Sequence, residues 1–221
     1  MIKVFLNGAN GKMGQAIEKI IKANPGYNMQ VTARRGIGLR EDGAFDLLID
    51  FSLPAGAAQA FEHAKKNKAA FLTGTTNMPA DFIAKLKEEK EIPVFYSPNV
   101  SIGVYLFTKL VKDANKLFAV YNKNLHEIHH DQKKDAPSGT AKSIAAHIDF
   151  PLQEITYERI GNEPGTHIVK FTSAQKDEEI SLCHKALDRS LFAHSAIIVA
   201  RWLARQKPGF YDMEAFARSG K

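Results

Sequence analysis

The sequence predicts an α/β protein in two parts: a parallel sheet covered by helices, then an α+β part with a mostly antiparallel sheet. Three observations predict it. Strand and helix signals alternate as far as residue 99, and alternation requires crossover helices and so parallel strands. A glycine-rich turn, Gly8-Ala-Asn-Gly11-Lys-Met-Gly14, joins the first strand to the first helix. Beyond Ile155, three strand signals follow one another without helices between them, as antiparallel sheets require.

The apolar run Ile2–Asn7 reads as a buried strand. Met13, Ile17, Ile20 and Ile21 recur at helical spacing until Asn24-Pro25-Gly26 stops them. Met29–Ala33 and Phe45–Ser52 read as strands. Between them, RRGIGLREDGA is too short for an ordinary crossover helix, so one helix of the doubly wound pattern is expected to be missing there. Pro54 can open a helix, because a first-turn residue needs no N–H, and Ala-rich sequence continues it to Asn67. Ala69–Thr73 reads as a strand, Pro79–Glu89 as a helix and Ile92–Ser97 as a strand. Ser101–Phe118 is amphipathic and long. Asn122–Asp131 alternates as a strand does, and Ala141–Ile148 reads as helical. Strands follow near Ile155–Ile160, Thr166–Ser173 and Glu179–Lys185, then a strong helix over Ser190–Arg205. The late helix needs a partner for its apolar face. The expected division is therefore a dinucleotide-binding domain of residues 1–100 plus 191–221, and a substrate-binding and oligomerisation domain of residues 101–190.

Composition narrows the function. At 221 residues, with 44% hydrophobic and 24% charged, the chain can bury a core and is not a disordered protein. One cysteine, Cys183, excludes an internal disulfide and fits a reducing compartment. No run approaches the ~20 apolar residues of a membrane span. The first residues read as strand rather than as a secretory signal, so the cytoplasm is the expected location. The net charge of +6 is spread along the chain, with short clusters only at Lys65–Lys66–Lys68 and Lys133–Lys134. That pattern suits an anionic small molecule better than nucleic acid, for which no basic stripe interleaved with aromatics is present.

The glycine turn is a relative of the dinucleotide fingerprint with one extra residue in the first gap. Glycines let a pyrophosphate approach the backbone and the N–H groups at the helix start, as in Rossmann-like domains. The fingerprint expects an acid about 20 residues on, for the ribose diol. Arg34 and Arg35 stand there instead, and no acid follows until Glu41. Arginine accommodates a ribose 2′-phosphate, so NADPH is expected to be preferred, with NADH still used. Gly74-Thr75-Thr76 and Ser97-Pro98-Asn99-Val100 follow later strands, at the ends where α/β sheets bind ligands; turn chemistry alone would also account for both.

The densest chemistry is Glu127-Ile-His129-His130-Asp-Gln-Lys133-Lys-Asp135-Ala-Pro-Ser138-Gly139-Thr140-Ala141. On a strand, Glu127 and His129 share one face, and His126, Ile128 and His130 the other. Histidine is the acid/base suited to neutral pH. Lys133 can pair with an anion or donate a proton. Ser138-Gly139-Thr140 at a helix start offers donors to a carboxylate. No zinc-ligand spacing is present and the lysines oppose a cation, so no metal is expected.

This last motif resembles the signature of dihydrodipicolinate (4-hydroxy-tetrahydrodipicolinate) reductases of lysine biosynthesis. GANGKMG at the start, GTT at Gly74–Thr76, SPNVSIGV at Ser97–Val104, HKALDR, and GFYDM at Gly209–Met213 agree in order, so the resemblance spans the chain as a short form of the family. It implies reduction of a small cyclic dicarboxylate by NADPH or NADH, and a homotetramer. It implies that His129 and Lys133 are catalytic, either being placed to supply the proton, and that His130, Gly139 and Thr140 bind substrate. It places Gly8, Ala9, Asn10, Gly11, Lys12 and Met13 with Gly74, Thr75, Thr76, Ser97, Pro98, Asn99 and Val100 against the nucleotide. Arg34 falls where many members carry an acid, and Arg35 where an arginine is common. Two stretches are shorter than the family pattern: the segment after the second strand, and Ile160-Gly-Asn-Glu-Pro-Gly165-Thr-His167. The alternatives are another two-domain NAD(P)-dependent oxidoreductase acting on a small anionic substrate, and a nucleotide-sensing or nucleic-acid-binding protein.

Overall fold

The structure, a computed structural model, describes residues 1–33 and 43–220. The chain forms two compact units, Met1–Ser101 with Ser190–Lys221, and Ile102–Arg189. None of the described helices is long and apolar enough to cross a membrane.

The first unit contains β1 (Ile2–Asn7), α1 (Lys12–Ala23), β2 (Met29–Ala33), β3 (Leu47–Asp50), α2 (Pro54–Lys66), β4 (Ala70–Thr73), α3 (Ala80–Lys87) and β5 (Pro93–Tyr96). Its sheet is parallel throughout, in the order β10 (Gly209–Tyr211)-β5-β4-β3-β1-β2. β3 and β4 are buried along their whole length, which is why LLID and AFLT show no alternation. The strand order reverses at β1, which lies between β2 and β3. Ligands bind at such a switch point, beyond the carboxyl ends of the strands. Asn7, Asp50, Thr73 and Tyr96 form one row across those ends. Phe5, Leu48, Phe61 and Phe71 fill the core beneath α2.

The late helix α6 (Ser190–Leu203) packs on α1, β4 and β5. Two elements after it escape the sequence periodicities. β10 (Gly209–Tyr211) adds an edge strand beside β5, and α7 (Met213–Arg218) follows it. Three residues are too few to display a period of two. What holds them is tertiary: the Trp202 ring meets Tyr211 and Phe216 edge-on, each at 5.3 Å. β3 is also shorter than the expected Phe45–Ser52, because the chain leaves the ladder at Phe51 to form the loop before α2.

The second unit contains α4 (Ile102–Leu117), β6 (Asn122–His129), α5 (Gly139–His147), β7 (Thr156–Arg159), β8 (Thr166–Thr172) and β9 (Glu179–Lys185). Its sheet runs β7-β6-β8-β9, with β7 parallel to β6 and the other pairs antiparallel. Phe107 and Val111 of α4, Ile144 of α5, and Leu125, Val169 and Phe171 of the strands make its core. The register puts Glu127, His167 and His184 in one row across β6, β8 and β9.

Candidate active site

In the first unit the glycines of the β1–α1 turn are sterically required. Gly8 has φ +79°, and a Cβ there would run into the Phe51 carbonyl. A Cβ at Gly14 would strike the Gly8 carbonyl and Ala9, so this glycine lets the helix sit close on the strand. Gly11 N–H closes the turn on Gly8 O at 3.0 Å. α1 begins with no side-chain cap and no acid in its first turn. Ala9 is buried, Met13 half-buried, and Asn10, Gly11 and Lys12 are exposed. An uncapped N-terminus behind a glycine cradle fits the pyrophosphate of a dinucleotide. Arg34 and Arg35 lie outside the described residues.

The other two nucleotide stretches meet a residue that the sequence reading missed. Asp50, fully buried at the end of β3, accepts hydrogen bonds from four side chains: Asn7 Nδ2 (2.7 Å), Ser52 Oγ (2.6 Å), Thr73 Oγ1 (2.7 Å) and Thr75 Oγ1 (2.8 Å). Thr75 Oγ1 also accepts the Ser52 N–H at 3.0 Å. Asp50 thus ties β1 and β4 to the loops after β3 and β4. Gly74 carries the Phe51 ring where a Cβ would be, and Thr76 is exposed. Ser97 Oγ donates to Asn99 O at 2.8 Å and shapes the turn through Pro98 to the buried Val100. An acid inside an apolar run, with hydroxyls two residues on and across the next strand, was the available signal for Asp50.

In the second unit the alternation of β6 buries Leu125, Glu127 and His129 together. Glu127 receives the Ser138 N–H on both oxygens (3.1 and 3.2 Å) and Arg159 Nη2 on Oε1 at 3.1 Å. Its Oε2 lies 3.5 Å from His129 Nδ1 and 3.7 Å from His167 Nε2. Burial opposes its charge, but the bonds from Ser138 and Arg159 outweigh that and hold the carboxyl below the usual range. Burial pushes His129 down, Glu127 opposes the shift, and Lys133 and Arg159 add to it. Burial, reinforced by His129, takes His167 down to about 3.

The loop from β6 to α5 carries the remaining candidates. Lys133 Nζ donates to both oxygens of Asp135 (2.6 and 2.8 Å), and this pairing holds Asp135 below its usual range. Lys133 is thus neutralised by a neighbour that the sequence reading did not pair with it. The expected donors of Ser138 need a correction. Its N–H goes to Glu127, and its Oγ caps α5 by accepting from Ala141 N at 3.1 Å. A helix-starting residue beside a buried carboxylate satisfies that carboxylate first. Gly139 and Thr140 form the first turn of α5, with Gly139 exposed and nothing near the position of its absent Cβ. His130 follows the end of β6 and is half-buried. Gly165 lies against the His129 ring; a Cβ there would stand 3.0 Å from Nε2.

Glu127, His129 and His167 offer ligand atoms within 4.8 Å of one another. The spacing suits a metal ion, but the charge does not. The carboxylate already holds a guanidinium, and Lys133 adds a second cation to the electrostatics of His129. The cluster reads better as a hydrogen-bonded ion-pair network. Sequence reasoning missed Arg159 and His167, which reach Glu127 only through the pairing of β7 and β8 with β6.

Comparison with known proteins identifies the family. Residues 37–100 match the family model for the N-terminus of dihydrodipicolinate reductase, and residues 103–216 match that for its C-terminus. The chain is 32% identical over 252 residues to the 4-hydroxy-tetrahydrodipicolinate reductase of Caldanaerobacter subterraneus subsp. tengcongensis, covering 100% of both chains. It is 34% identical over 229 residues to that of Bdellovibrio bacteriovorus, covering 100% of this chain and 99% of the other. In fold it is similar to the dipicolinate-bound dihydrodipicolinate reductase of Paenisporosarcina sp. TG-14, with a TM-score of 0.73, 22% identity, and coverage of 96% and 97%.

Proposed function

The chain belongs to the dihydrodipicolinate reductase family, and on that premise we propose how its residues serve the reaction. It is an NAD(P)H-dependent oxidoreductase that reduces 4-hydroxy-tetrahydrodipicolinate to tetrahydrodipicolinate in the diaminopimelate route to lysine. The ring gains a hydride and a proton, and the 4-hydroxyl leaves as water. The nicotinamide, when bound, supplies the hydride. The chain's part is binding, orientation and the proton.

Residues 8–13, with Gly74–Thr76 and Ser97–Val100, hold the cofactor. His130, Gly139 and Thr140 bind the substrate, its carboxylate meeting the first turn of α5 at Gly139 and Thr140. His129 and Lys133 are the acid/base pair. The observation that carries this reading is the joint placement of a buried, deprotonation-biased imidazole and a shielded ammonium on either side of the turn that leads to Gly139. A substrate carboxylate competes with Asp135 for Lys133, so binding can release the ammonium toward the reacting ring.

NADPH is preferred over NADH, on the strength of Arg34 and Arg35 and the absence of an acid between them and Glu41. The protein works in the cytoplasm as a homotetramer. Assembly is supported by the outer face of the second sheet, which presents His126, Ile128, Ile168 and Lys170, half-buried, opposite the face that α4 and α5 cover. The test is turnover by the purified protein, followed by loss of reduced-nicotinamide absorbance while the substrate is made by coupled synthesis. Oxidation that depends on substrate, is faster with NADPH and is competitively inhibited by dipicolinate bears the reading out. Cofactor oxidation indifferent to substrate overturns it. Equal KM values for the two cofactors, or a preference that survives Arg34→Ala/Arg35→Ala, overturn the assignment of those arginines.

A further inference from the structure

We propose that Glu127 and Arg159 are the positioning pair of this reductase: together they hold the main chain of residues 133–138 and the ring of His129 in the arrangement that the reaction uses. The proposal rests on the reading of His129 and Lys133 given above. Neither Glu127 nor Arg159 is asked to touch the substrate.

The geometry carries the argument. Arg159 spends its fork on the loop. Nη2 donates to Asp135 O at 2.8 Å and to Glu127 Oε1 at 3.1 Å, and Nε reaches Lys133 O at 3.4 Å. Nη1 is held on Glu158 O at 2.9 Å, and the guanidinium carbon stands 4.9 Å from the centre of the Tyr157 ring. Glu127 takes the other end of the same loop through the Ser138 N–H. One ion pair, its carboxylate buried and its guanidinium half-buried, therefore fixes two carbonyls and an amide, and between them lie Lys133 and the approach to Gly139. An apolar pair of similar volume can match a buried ion pair in stability. It cannot bind those three backbone groups. Lysine at 159 keeps the charge but lacks the planar fork.

Glu127 also sets the field at His129. The groups facing that ring are Glu127 on its own strand, His167 from β8, Arg159 from β7, and His130 and Lys133 from the loop. Glu127 is the anion among them, and it favours the protonated ring. With its charge removed, Arg159 and Lys133 act on His129 unopposed.

The experiment compares Glu127→Gln, Arg159→Lys and the double variant Glu127→Met/Arg159→Met with the parent enzyme. It measures kcat, KM, NADPH dissociation constant, pH profile and thermal midpoint. Both single variants are expected to lose kcat on the order of 10²-fold, as misplacement of reacting groups does. NADPH affinity stays unchanged. The limb of the pH profile that His129 sets moves to lower pH in Glu127→Gln, the signature that a merely structural role would not produce. The double variant is expected to keep a near-parental thermal midpoint and remain slow. Parental kcat and pH profile in a folded Glu127→Gln, or parental turnover in the double variant, overturns the proposal. So does loss of folding in all three variants, which would assign the pair to the fold. Failure of the functional reading looks different: the parent itself does not reduce the substrate, or His129→Gln turns over normally.

Discussion

At the scale of single residues, the site depends on groups whose neighbours suppress their ordinary behaviour. His129 is buried, and it is a glycine, Gly165, that lies against the Nε2 edge of its ring. Lys133 sits in an exposed loop with its charge shielded by Asp135. Both therefore contribute to chemistry more than to the core. His129→Gln and Lys133→Ala are each expected to lower kcat by about 10²–10⁴-fold, the usual effect of removing an acid/base group, with the thermal midpoint held. Steady-state kinetics beside a melting curve checks this, and normal turnover by either variant withdraws that residue's role. Gly165→Ala is a subtler probe. Its methyl would stand 3.0 Å from Nε2, so kcat is expected to fall while the affinity for NADPH is retained.

At the scale of elements, the β1–α1 unit shows why a glycine pattern was legible from sequence. Gly8 and Gly14 are demanded by the local turn and by helix-on-strand contact, and local demands leave a local signature. Gly8→Ala adds a Cβ at φ +79° against the Phe51 carbonyl, a strain of about 1–3 kcal/mol. Calorimetry is expected to show the melting temperature falling by roughly 2–4 °C per kcal/mol, with a raised KM for NADPH. An unchanged melt would remove the steric account of this turn. The Asp50 knot illustrates the opposite case. Its four donors come from β1, β4 and two loops, and nothing in the run LLID reveals that they meet.

At the scale of the whole molecule, buried titratable groups couple stability to pH. His167 is held down to about 3 from 6.5. Between those values the unfolded chain binds a proton that the folded chain does not. Stability is therefore complete above the unfolded value and is lost as pH falls, with a slope of about 1.4 kcal/mol per pH unit from this group. His129 and His184, lowered chiefly by burial, act in the same sense. Glu127, also lowered, loses its contribution further down, as pH falls from 4.5 toward its folded value. Denaturant titrations between about pH 7 and pH 5 should show the loss, and His167→Gln should flatten the slope. An identical slope in that variant would show that His167 is not the group responsible. Assembly is the second prediction at this scale. Light scattering is expected to give the mass of a homotetramer, and Ile168→Glu on the outer sheet face is expected to reduce it without loss of helix signal. A monomeric parent would end the assembly proposal.

The sequence by itself determined the order of strands and helices as far as α6, the glycine turn, the sharing of one face of β6 by Glu127 and His129, and the motif that marks the family. Each of these is written in neighbours within a few residues, through the periods of two and 3.6 and through turn sterics. Tertiary structure alone decided the rest. It brought Arg159 and His167 to Glu127 from two different strands, spent the Ser138 N–H on a buried carboxylate and added β10 to the edge of the sheet. The physical reason is common to all three. A buried charge or an unpaired backbone group must find a partner, and the partner is whichever donor the packed strands bring within about 3 Å. That choice depends on sheet register and loop closure, which no local spacing in the chain records.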